Sequence, residues 1–91
     1  MSRSFPAAVG RFEDAIRAQR DAVVLFRETG NRPGEALALT NLGLALHEVG
    51  QFEDAIRAHQ DAVVLFWEIS DRQSEQVALG NLEIARTALR G

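Results

Sequence analysis

The chain has 91 residues, 46% hydrophobic and 25% charged, which fits one small soluble domain and excludes a disordered chain. A net charge of −3 offers no basic face to nucleic acid or an anionic membrane, and the lack of cysteine excludes disulfides and thiolate metal sites. No apolar run approaches the ~20 residues that span a bilayer, and the opening MSRSFPAAVG lacks the apolar core of a signal peptide, so the expected location is cytoplasmic.

In chain order, a short segment at Phe5–Val9 comes first. A helix near 11–29 follows, in which Phe12, Ala15, Ile16, Gln19, Ala22, Val23 and Phe26 recur at helical spacing to form one apolar stripe. Glu13, Arg17 and Asp21, four apart, mark a solvated face. Gly30 suits a left-handed helix end, Asn31 an N-cap and Pro33 a first helical turn. The second helix spans 34–49, with Leu37, Leu39, Leu42, Leu46 and Val49 among its apolar positions, and Gly50 separates it from a third. That third helix, 51–69, repeats the first: FEDAIRA stands at 12–18 and 52–58, and DAVVLF at 21–26 and 61–66. Asp71 caps a fourth helix at 73–90. Laying 10–49 over 50–89 matches more than half the positions, an internal duplication within one domain of residues 1–91. The predicted fold class is all-α, four antiparallel helices joined by short loops.

Asn41-Leu42-Gly43, Leu46, Gly50, Phe52, Ala55-Ile56 and Ala62 together resemble the tetratricopeptide repeat. That family stacks helix-turn-helix units of ~34 residues into a right-handed superhelix. The unit here is longer, about 40 residues, and is similar to the repeats of kinesin light chains and actinobacterial regulators. In the family's frame the only complete unit is about 34–69. Phe5–Val9 aligns with Ala45–Val49, like the tail of a missing helix, so a fragment of a larger regulator is one reading. At the other end Glu83 and Arg86 replace Gly43 and Leu46, which reads either as a polar cap or as a drifted repeat.

The resemblance implies a protein–protein interaction scaffold that holds a peptide or protein segment in a groove. The residues matching the groove are Thr40, Asn41, Leu44, His47 and Glu48, then Gly80, Asn81, Ile84 and Thr87. A carboxamide both donates and accepts, so Asn41 and Asn81 could clamp an extended backbone; alternatively each bonds to its own helix. Trp67 is either an interface anchor or inter-repeat packing. His47 and His59 lie on different helices without an acidic cluster at ligand spacing, so they read as surface or groove histidines, and no metal or cofactor is expected. Without a phosphate-cradling loop or nucleophile motif, an enzyme is not expected. A rival reading is self-association: the stripe of Phe12, Ile16, Val23 and Phe26 lacks a preceding helix to cover it, which predicts a homodimer or larger homo-oligomer.

Overall fold

Three turns of one design divide the chain into helices. In each, the backbone N–H of the residue three past the helix end reaches back five positions: Asn31 to the Phe26 carbonyl at 2.8 Å, Gln51 to Leu46 at 2.9 Å, Asp71 to Phe66 at 2.9 Å. The residue before it donates to the carbonyl three back and takes a left-handed conformation, at Gly30 (φ 73°), Gly50 (φ 82°) and Ser70 (φ 61°). This is the Schellman ending, which satisfies the last carbonyls of one helix and aims the chain into the next. Asn31 and Asp71 then cap the following helices, their Oδ1 atoms accepting from the N–H groups of Gly34 (2.9 Å) and Ser74 (3.1 Å). Gln51 makes no such side-chain bond.

The computed structural model describes residues 4–91. The resulting helices are α1 (Ser4–Glu28), α2 (Arg32–Glu48), α3 (Phe52–Glu68) and α4 (Arg72–Arg90), an all-α architecture. Phe5–Val9 is not a separate segment, because α1 runs through Gly10 without a break. Gly10 holds the repeat position of Gly50 but keeps a negative φ. At Gly50 the turn is held by the packing of α3 onto α2.

Each helix packs on its chain neighbours, and α2 also touches α4, whereas α1 and α3 do not touch. The helix pair in contact lies on the inside of a bend and the splayed pair on the outside, so α2 and α4 form the concave layer. Two such layers account for the 18 Å thickness of a body measuring 49 × 31 × 18 Å.

Small residues set the spacing. Ala55 and Ala62 of α3 and Ala36 of α2 are fully buried. A Cβ on Gly43 would stand 2.4 Å from Cε1 of His59, so the glycine makes the seat for that ring. His59 is therefore a core residue, 1% exposed, and not the surface or groove histidine its sequence context suggests.

The α1 stripe also departs from expectation. Ile16 and Val23 are buried, with Phe12 and Phe26 half-buried, and α2 of the same chain supplies the cover. The less covered side of α1 is instead the one bearing Ala15, Ala18, Gln19 and Ala22, of which Ala18 is exposed and the others half-buried, whereas their counterparts Ala55, Ala58, His59 and Ala62 in α3 are all buried. A helix between two neighbours has two packing faces, and the missing neighbour belongs to the smaller-residue face.

Candidate functional site

Two parallel rows of side chains line the concave layer. On α2 the row is Leu37, Asn41, Leu44 and Glu48; on α4 it is Val77, Asn81, Ile84 and Ala88. Both follow i, i+4, i+7, i+11 spacing, which holds a row on one helix face. The rows correspond under the internal duplication, so each carries a branched apolar residue, a carboxamide and a second branched apolar residue. Leu37, Leu44, Val77 and Ile84 are 46–59% exposed, and Leu37 and Val77 wall an open cleft of about 120 Å³ with Thr40, Phe66 and Ser74.

Of the residues expected in the groove, Asn41, Leu44, Glu48, Asn81 and Ile84 lie on these rows. Asn41 is exposed and Asn81 half-buried, and among the described residues neither carboxamide is engaged in a side-chain hydrogen bond. Their donors and acceptors are free for a ligand, and the alternative in which each bonds to its own helix is not what the structure has. Thr40 is beside the row, half-buried, its hydroxyl donating to the Ala36 carbonyl at 3.0 Å. His47 turns aside, its ring meeting Phe52 edge-on with centroids 5.0 Å apart, so it braces the start of α3.

Leu37 and Val77 are the residues that sequence reasoning missed, Leu37 having been assigned to the apolar packing positions of its helix. Leu39, Leu42 and Leu46 fall on one side of α2 and Leu37 and Leu44 on the opposite side, so both sides are apolar and periodicity does not say which is packed. The signal that does separate them is the seven-residue step from Leu37 to Leu44, repeated as Val77 to Ile84.

The rows hold one charge, Glu48, and no arginine. Four of the ten arginines are in ion pairs elsewhere: Arg27 with Glu35 at 2.9 Å, Arg32 with Glu68 at 3.4 Å, Arg86 with Glu83 at 3.4 Å, and Arg17 with Asp14. Glu83 and Arg86 stand on α4 at the positions where Gly43 and Leu46 are buried in α2, so that side of α4 is polar, with Glu83 exposed and Arg86 half-buried. Between the splayed α1 and α3, Arg20, Asp54, Arg57 and Asp61 rim a cleft of about 220 Å³ floored by α2 leucines.

Trp67 is 66% exposed on α3, so it does not pack between repeats. It occupies the position of Arg27, and Glu75, the counterpart of Glu35, has no ion pair among the described residues. His59 sits away from both clefts. Its Nδ1 is buried without a hydrogen-bond partner, and burial first, then the proximity of His47, lowers its pKa below the ordinary histidine value. Among the described residues no three His, Asp or Glu side chains gather to hold a metal ion, and no helix is long and apolar enough to cross a membrane.

A family model described as tetratricopeptide repeat matches residues 7–65, most of α1 together with α2 and the greater part of α3. No curated protein and no solved structure gives a significant match.

Proposed function

Because the chain belongs to the tetratricopeptide repeat family, we propose that it is a non-catalytic interaction module whose concave face binds a peptide or protein segment. The observation that carries this reading is the pair of unengaged carboxamides, Asn41 and Asn81, each between two exposed branched apolar residues. A carboxamide can donate to a peptide carbonyl and accept from the N–H of the same backbone, so two of them on neighbouring helices grip a main chain whatever its sequence. The test is capture from the source cell by wild-type protein and by Asn41→Ala/Asn81→Ala, with circular dichroism confirming equal helix content. A partner held by the first and lost by the second supports the reading; partners held equally by both sink it.

A second reading, self-assembly, is favoured by the open side of α1. Ala15, Ala18 and Ala22 repeat the side chains that α2 buries on α3, and on α1 Ala18 is exposed while Ala15 and Ala22 are only half-buried. A second copy laid on this side gives a homodimer or larger homo-oligomer, by contact through Ala18 and its neighbours and not through the buried Ile16 and Val23. Light scattering behind a sizing column measures this against the chain mass of 10.0 kDa. A multiple of that mass which Ala18→Arg returns to one chain supports the reading, and a monomer at all concentrations removes it.

A further inference from the structure

We propose that the concave face selects an apolar segment carrying basic residues and rejects an acidic one, an inference that rests on the reading of that face as the binding surface. The rows offer a partner four exposed branched side chains and two neutral carboxamides. A partner carboxylate laid among them loses its hydration and meets no cation, because no arginine stands on either row. A charge that loses water without gaining a partner is unfavourable, so a carboxylate is disfavoured on the rows, and a cation is too except beside Glu48.

Glu48 gives the selection its sign. It ends the α2 row, one helical turn beyond Leu44, and is exposed. Its counterpart on α4 is Ala88, so the charge stands at one end of one row only. A segment lying on the rows with a lysine or arginine at that end gains an opposite charge, and one with a glutamate there meets a like charge. An exposed pair of this kind is worth up to about 1 kcal/mol, or roughly fivefold in affinity.

At about 120 Å³ and flanked by Phe66, the open cleft walled by Leu37 and Val77 gives one apolar side chain of the partner a place to insert. The partner is thus an extended apolar segment with one side chain anchored at this cleft and a basic residue toward Glu48.

The experiment is an array of random nine-residue peptides, blocked at both ends, probed with three full-length proteins: wild type, Glu48→Lys and Asn41→Ala/Asn81→Ala. Wild type is expected to retain peptides enriched in Leu, Ile, Val, Lys and Arg and depleted in Asp and Glu. Glu48→Lys is expected to lose the basic enrichment while keeping the aliphatic one. Enrichment of acidic peptides by wild type, or a basic preference unchanged in Glu48→Lys, overturns the inference while leaving the groove standing. Binding indifferent to the Asn41→Ala/Asn81→Ala change, or none at all, overturns the groove reading and the inference with it. Glu48 is exposed and unpaired among the described residues, so its replacement leaves folding intact, which circular dichroism checks.

Discussion

The helices α1 and α3 carry nearly the same side chains and bury different ones. Ala62 is fully enclosed, whereas Ala22, its twin, is half-buried; Ile16 and Val23 are enclosed, whereas Ile56 and Val63 are half-buried. The difference lies entirely in the neighbours. α3 stands between α2 and α4, whereas α1 has α2 alone. Each helix therefore has a small-residue face for the helix before it and a branched face for the helix after it. Burial in a stacked repeat belongs to the stack and not to the segment, so identical words in the sequence carry different energies.

The strongest way to break this comparison is to charge the branched face. Ile16→Asp removes an enclosed side chain and leaves an unpaired carboxylate against α2, at an expected cost of about 4 kcal/mol or more. Ile56→Asp, half-buried, is expected to cost clearly less. Urea unfolding followed by circular dichroism measures both, and equal losses would show that α1 and α3 do not differ as described.

The small-residue face gives the converse test. Ala62→Leu forces extra volume between α2 and α3 and is expected to destabilise by about 2 kcal/mol, whereas Ala22→Leu, at a half-buried site, is expected to cost clearly less. A large loss at Ala22 would mean that something covers it. Next comes the turn. Ser70 holds a left-handed conformation that Gly30 and Gly50 adopt without a Cβ. Ser70→Gly is expected to stabilise by about 1 kcal/mol, visible as a higher urea midpoint, and Gly30→Ser to lose a similar amount.

The smallest expected effect is that of pH. His59 is buried and its folded pKa lies below the unfolded value of about 6.5. The unfolded chain therefore binds the proton more readily, and the stability that the neutral ring contributes is complete above about pH 6.5 and declines as pH falls toward the folded value. His59→Gln places the residue of α1 at this position in α3 and is expected to flatten that slope between pH 7 and 5. An unchanged slope would assign the pH response to other groups.

Much of the fold was legible because it depends on local chemistry. The caps at Asn31 and Asp71, the turn glycines and the duplicated runs each act within a few residues, and the helix positions follow from them. The break expected between Phe5–Val9 and the helix near 11–29 is absent, because a glycine alone does not impose a turn. In the candidate site, Asn41, Asn81, Leu44 and Ile84 were legible through the family frame, whereas Leu37 and Val77 were not, since a leucine-rich helix does not declare which side is open. His59 was read as accessible because a histidine side chain says nothing about the glycine opposite, and Gly43 is what encloses it.

That each helix leans chiefly on the next in line also governs how the chain comes together and comes apart. Contacts that join residues one hairpin apart need only short loops to close, so little chain entropy is lost before they form, and folding belongs among the fast helical proteins. Opening is ordered by the same rule. α1 and α4 are each held mainly from one side, so their amides exchange with solvent first, while α2 and α3, gripped from two sides, are the last to let go.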